Sequence, residues 1–409
     1  MPHIDKTLST CQGLVMKLVS TIASAAMALL FIAAPFGGAR AADPLELYAL
    51  LPLTGPLAFL GQGVAASMGA EEAAINARGG VKGRSIHFTM LDDQGNPQIA
   101  VQLLTPLLSK GVPAIIDSGP AATCRATSAA AKSAAVIYCL SNAYDPSGDS
   151  YSFATPMSLE DAIAAQIRYL RVRGLKRIGF IITTDATGQA SDAAITNILA
   201  YPENRDVVAV ARERFGMADI SVTAQVARIR TAGAQAVYAL ASGAPFALVL
   251  REVRDAGMNV PVATLASNQS IKQLTSYGAI VPPDLEMVSA RFAAYDVMGA
   301  GPVKDDTAVY RSALAKAGVG TDGPSSLPWD PVMLILGAYR KYGDAPTSTN
   351  VRDFIAGTRN VAGINGFYDF PTTPGRGLTS KDTVVLRWDA ARKDFDPIST
   401  AGGAAVLRP

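Results

Sequence analysis

Side chains able to do covalent or metal chemistry are scarce in this sequence. Histidine occurs at His3 and His87, and cysteine at Cys11, Cys124 and Cys139. A Cys/His zinc centre needs about four closely spaced ligands, and these five residues do not cluster. A hydrolytic triad needs a histidine beside a nucleophile and an orienting carboxylate. His87 falls on a predicted strand with no evident partners. There is no G-x-S-x-G elbow and no phosphate-binding P-loop. Gly61-x-Gly63-x-x-Ala66 imitates a dinucleotide fingerprint, but weakly, because alanine takes the third glycine position. The chemistry on offer is hydrogen bonding by hydroxyls, amides and backbone N–H groups. That suits capture of a ligand, and no enzyme is expected.

The elements that must position those groups follow from composition and pattern. The chain has 409 residues, 49% hydrophobic and 17% charged, with 36 Lys plus Arg against 34 Asp plus Glu. A net charge of +2 argues against nucleic-acid binding through a broad basic face. Lys17 precedes an apolar stretch from Leu18 to Phe36, closed by Ala39-Arg40-Ala41. Residues 1–41 therefore read as a secretory signal peptide, with either Met1 or Met16 as the initiator. Without them the chain carries 33 basic and 33 acidic residues, and only His87 remains of the histidines. Export to an oxidising compartment makes a Cys124–Cys139 disulfide feasible, though spacing alone cannot decide it.

Beyond residue 42, short apolar runs alternate with helical periodicity. Predicted strands are 45–52, 85–91, 112–117 and 135–140, with helices over 61–77, 98–108 and 121–133. The alternation then repeats. Strands are expected at 177–183, 206–214, 236–241, 260–265 and near Met287, with helices at 159–171, 190–199, 222–231 and 247–256. A helix runs through Met333–Tyr342 after the Trp329-Asp330-Pro331 corner. Strands at 366–370 and 382–388 read as a terminal ribbon. This pattern gives the fold class α/β, with two Rossmann-like doubly wound lobes.

Three segments carry a resemblance. Leu51-Pro52-Leu53-Thr54-Gly55-Pro56 leading into Phe59-Leu60-Gly61-Gln62, the stretch AINARGGVKGR over 74–84, and Asp92-Asp93 with Gly95-Asn96-Pro97 stand in order within fifty residues. Together they resemble the leucine/isoleucine/valine-type periplasmic binding proteins of ABC importers. The resemblance implies a type I binding protein fold, two lobes joined by three crossovers with the ligand between them. It places the crossovers near 152–155, 288–290 and 362–365. Lobe one would be 42–154 plus 290–362, and lobe two 155–289 plus 363–409.

The resemblance also nominates site residues. In such sheets ligands lie beyond the carboxyl ends of strands, where helix N-termini favour an anion. The loop 117–123 occupies that place, with Ala121 and Ala122 where hydroxyl residues are usual and Thr123 supplying the next hydroxyl. Ser141, Asn142 and Ala143 match a second carboxylate loop. Thr187 holds an aromatic position of the family. Ser242 and Gly243 lie where the second lobe touches ligand, and Asn268 falls where amino-acid binders place an acid for the ammonium. Phe59, Leu60 and Trp329 would give apolar walls, Trp329 equally suiting hinge packing. An amide cannot neutralise a buried cation, which costs several kcal/mol unpaired. The expected ligand is a small carboxylate without ammonium, with aromatic and other organic acids favoured. Branched-chain or other amino acids are the alternative, with Asp117 or Asp185 as ammonium partner. A sensor built on the same fold is a further alternative. No cofactor or metal is expected. The expected partner is an ABC permease in the inner membrane, and the expected form is a periplasmic monomer.

Overall fold

A computed structural model describes residues 43–117, 119–146, 151–155 and 157–405. The predicted signal peptide, Cys11 and Ser118 lie outside them. Residues from Asp43 onward form one compact unit.

The chain begins β1 (Leu45–Leu51), α1 (Ala58–Ala77), β2 (Ile86–Asp92), α2 (Pro97–Ser109), β3 (Ala114–Asp117), α3 (Ala121–Ala131), β4 (Val136–Cys139) and β5 (Ser152–Ala154). These strands form a parallel sheet in the order β2-β1-β3-β4-β5. β3, β4 and β5 are buried along their whole length, as a parallel sheet covered on both faces requires. Next come α4 (Leu159–Val172), β6 (Arg177–Thr183), α5 (Ala186–Leu199), β7 (Val208–Phe215), α6 (Thr223–Thr231), β8 (Ala236–Leu240), α7 (Ala244–Asp255), β9 (Val262–Thr264), α8 (Ile271–Tyr277) and β10 (Leu285–Ala290). Helices α9 (Pro302–Ala317), α10 (Gly323–Ser326), α11 (Trp329–Tyr342) and α12 (Ser348–Ala356) follow. The chain ends in β11 (Val361–Ala362), β12 (Phe367–Tyr368), β13 (Thr383–Asp389) and β14 (Asp394–Pro397). The second sheet runs β14-β13-β10-β9-β8-β6-β7, with β13 antiparallel to β10.

The chain passes between the two sheets three times: after β5, after β10, and before β13. The expected terminal ribbon is not formed. β12 pairs with β11, while β13 joins the second sheet against β10. The last crossing also differs from the expected division at 362/363. Tyr368, Phe370 and Leu378 are fully buried in the core that holds Leu47, Ile116 and Tyr138 of the first sheet. Apolar side chains follow the core they can fill, so 366–378 belongs with the first sheet.

The Gly61-x-Gly63 motif has a packing explanation. A Cβ on Gly61 would lie 2.3 Å from the Pro52 carbonyl oxygen, and one on Gly63 would lie 2.7 Å from Pro324 Cβ. The glycines let α1 approach the end of β1 and the segment before α11.

Cys124 on α3 and Cys139 at the end of β4 are joined by a disulfide, with Cα atoms 5.8 Å apart. Both are fully buried. The bridge closes a loop with a sequence separation of 15, which in the chain-entropy account contributes about 3 kcal/mol. A Cys124→Ser/Cys139→Ser variant is expected to unfold at a clearly lower urea concentration than the oxidised protein. Coincident midpoints would show that the bridge constrains nothing.

Candidate functional site

The segments that end strands at the facing edges of the two sheets enclose a cavity of about 60 Å³. From the first-sheet side come Leu60 of α1, Gly119, Leu140, Ser141 and Asn142. From the second come Ala266, Ser267, Gln269, Ser289 and Ala290. Phe292, Asn365 and the 323–327 segment close it along the crossings, and Met157 follows β5.

No ionised side chain lines this cavity among the described residues. Its polar groups are hydroxyls and amides. Ser289 Oγ donates to Gln269 Oε1 at 2.6 Å. Gln269 Nε2 is buried and has no protein partner. Asn365 donates through its backbone N–H and Nδ2 to Asp330 Oδ2 at 2.9 and 2.8 Å. Its Oδ1, also buried, has no partner.

A supporting frame holds these walls. Asp330, in the first turn of α11, also accepts from Ile364 N at 2.8 Å and Tyr368 OH at 2.9 Å. Burial raises its pKa, and those four donors oppose the rise. Burial, with Asp330 second, pushes the nearby buried Glu71 of α1 well above the usual carboxylate range. Asp322 joins the segment before α10 to the second-sheet side, accepting from Ile271 N at 3.1 Å. Gly323 N donates to Gln269 O at 2.7 Å beside it. Burial pushes Asp322 up to about 6. The buried Arg376 donates to the carbonyls of Asn142, at 3.1 Å, and Tyr144, pinning the loop after β4. Burial depresses its guanidinium to about 10.

Of the residues nominated from sequence, Leu60, Ser141 and Asn142 line the cavity. Phe59 and Gly243 do not. They line a separate, wider groove of about 640 Å³, with Ile220, Arg251, Lys272 and Tyr277. A Cβ on Gly243 would lie 3.4 Å from the Phe59 ring. Ala121, Ala122 and Thr123 form the first turn of α3, off the cavity wall. The Thr123 hydroxyl is spent on the Pro120 carbonyl at 2.6 Å. Ala143 packs against the disulfide and Tyr144. Thr187 sits half-buried in α5, where its carbonyl accepts from Ser191 Oγ. Ser242 reaches the wall only through Ser267, their hydroxyls 2.6 Å apart. Asn268 is fully buried, and its Nδ2 ties Ala241 O and Thr264 Oγ1 together at 2.7 and 2.8 Å. The neighbouring amide, Gln269, faces the cavity instead. Trp329 packs edge-on to Tyr310 at 5.1 Å within a cluster that includes Val288, Ile364 and Val385, which is the hinge-packing alternative.

The wall also holds residues not nominated from sequence, mainly Ser289, Gly323, Pro324, Ser326, Leu327 and Asn365, while Gln269 belongs to the 267–269 segment that the resemblance places where amino-acid binders hold an acid. Two of them carried a signal: Ser289 and Asn365 lie inside the crossovers that the resemblance had located. Among the described residues, no cluster of three or more His, Cys, Asp or Glu could hold a metal ion. No helix among them is long and apolar enough to cross a membrane.

Solved structures share this architecture. An extracellular ligand-binding receptor from Rhodopseudomonas palustris HaA2 superposes with a TM-score of 0.74 at 18% identity, over 87% of this chain and all of that one. A type 1 periplasmic binding protein from Bordetella pertussis Tohama I gives 0.72 at 21%, over 87% and 100%. The branched-chain amino acid transporter substrate-binding protein LivJ of Streptococcus pneumoniae, solved with isoleucine, gives 0.73 at 17%, over 87% and 98%. No curated protein matches the chain. At these identities the structures establish the fold, and a sequence profile described as "Periplasmic binding protein" matches residues 48–393. With the profile spanning most of the two-sheet unit, the chain belongs to the periplasmic binding protein family.

Proposed function

We propose that this protein is the periplasmic solute-binding component of an ABC importer. It captures a small carboxylate-bearing ligand between two lobes, one built on each sheet, and delivers it to an inner-membrane permease. Lobe one takes 42–154 and 290–362, with the packing of Tyr368, Phe370 and Leu378 extending it to about 378. Lobe two takes 155–289 and the remainder. Ligand stabilises the closed form through contacts from both lobes, so occupancy shifts a hinge equilibrium.

The observation that carries the ligand class is the wall without ionised side chains. An ammonium group closed into it would meet no carboxylate directly, and an unpaired buried charge is costly. A carboxylate fares better, because N–H and O–H donors are present: Gln269 Nε2, the Ser141 hydroxyl and the backbone at Gly119. A space of about 60 Å³ is small beside the roughly 300–1,000 Å³ of sites for drug-sized ligands, which favours a compact organic acid.

Thermal unfolding of the protein without its signal peptide, against amino acids, short-chain acids, aromatic acids and amides, tests this reading. A ligand at a hundredfold excess over Kd stabilises by about 2.7 kcal/mol. Stabilisation by acids lacking an ammonium group is expected, with none by leucine or valine. The converse result would favour the amino-acid alternative and make Asp330, behind Asn365, the charge to mutate.

A further inference from the structure

Two polar atoms in the cavity lack partners, and they are of opposite kinds. Gln269 is 1% exposed, and its Nε2 is a donor without an acceptor. Asn365 is 1% exposed, and its Oδ1 is an acceptor without a donor. Buried polar atoms are usually satisfied, and these two line the same cavity from different sides, where a ligand between the sheets could complete the network.

One end of each amide is engaged, which leaves the other for a ligand. Ser289 donates to Gln269 Oε1, and Nε2 is the end left without a partner. Asn365 gives Nδ2 to Asp330 Oδ2, which leaves Oδ1. The Asp330 carboxylate also polarises the Asn365 amide and strengthens Oδ1 as an acceptor. The remaining surface is mainly apolar, including Leu60, Phe292, Pro324 and Leu327.

On the reading that the ligand is a small acid, we infer that Gln269 and Asn365 form a specificity pair for a short-chain hydroxy acid. Gln269 Nε2 donates to a carboxylate oxygen. The ligand hydroxyl donates to Asn365 Oδ1. An acid without the hydroxyl leaves Oδ1 unpaired, and such a site rejects the deoxy analogue strongly.

Calorimetric titration with lactate, propionate, alanine and benzoate reads the pair directly. The wild-type protein is expected to bind lactate at least tenfold more tightly than propionate, and more tightly than alanine or benzoate. Asn365→Ala should abolish the lactate-to-propionate ratio while leaving propionate affinity nearly unchanged. Gln269→Met should weaken both acids together and keep the ratio. Because the readout is a ratio within one protein, loss of stability in a variant does not imitate it. Equal binding of lactate and propionate by the wild type would overturn this inference and leave the carboxylate reading standing. Binding of alanine in preference to every acid would overturn both.

Discussion

Asp330→Ala is expected to lower the unfolding free energy by about 4 kcal/mol, the scale for stripping one partner from a buried charged network. The carboxylate is fully buried and accepts four hydrogen bonds at 2.8–2.9 Å, from Ile364 N, Asn365 N, Asn365 Nδ2 and Tyr368 OH. Alanine leaves all four donors without an acceptor in a site that water does not reach. Each orphaned group costs roughly 1–3 kcal/mol, and relaxation of 364–368 recovers part. Asp330→Asn keeps the volume and one acceptor oxygen, so it should fall between the two. Urea unfolding of the three proteins checks the order. A loss under about 1 kcal/mol for the alanine variant would mean that the third crossing is held by apolar packing alone. The same substitution should weaken ligand binding, since Asn365 loses the bond that aims Oδ1 into the cavity.

Asp330 also shows where sequence reasoning runs out. The Trp329-Asp330-Pro331 corner was visible as a break before a helix, yet α11 begins at Trp329 itself and Asp330 lies in its first turn. Its partners lie 34 to 38 residues away, and no periodicity reports such a pairing. Strands bounded by charge or glycine were legible to the residue, as at Arg177–Thr183. Helix starts are read late at α5 and α7, whose first turns carry glycine, threonine or proline. α5 begins at Ala186 because Asp185 caps it, accepting from Gly188 N at 3.0 Å. α7 begins at Ala244, where Pro245 needs no N–H partner. α9 was missed although Val303, Thr307, Tyr310 and Leu314 form a buried stripe at helical spacing. The polar PVKDDT start concealed it.

The site was legible at the level of loops and not of side chains. Resemblance led to Ser141 and Asn142, which follow directly from the end of β4, and to Leu60 in the first turn of α1. It could not choose between Asn268 and Gln269, adjacent amides in one tight turn over Ala266–Asn268. Which of them faces inward depends on Thr264 and Ala241 capturing Asn268. That is a tertiary contact with no sequence signature. The two amides therefore have opposite duties. Asn268 fixes the turn, and the fixed turn presents Gln269.

Stability is expected to be greatest near about pH 4–5 and to fall as the pH rises towards 7. Asp322 sets much of this slope. Burial holds its folded pKa at about 6, above the ordinary 3.8, so the folded state binds its proton more tightly than the unfolded chain does. The contribution is complete below the unfolded value and is lost as the pH passes through the folded one. A difference of about two units corresponds to about 3 kcal/mol. Glu286 acts in the same sense over a wider window, from its ordinary 4.5 upward: burial pushes it up to about 8 against the pull of Arg173. Exposed acids act in the opposite sense below pH 4. Arg171 holds Asp206 well below the usual carboxylate range, and the backbone and side chain of Arg392 lower Asp389. Their stabilisation disappears on acidification, which sets the lower limb. Denaturant midpoints from pH 3 to 8 trace the profile. In Asp322→Asn the fall between pH 4 and 6 should become shallower, while the part due to Glu286, which runs from its ordinary 4.5 to about 8, persists. A wild-type protein as stable at pH 7 as at pH 5 would show that water reaches Asp322, and that the latch from Asp322 to Ile271 is open in solution without ligand.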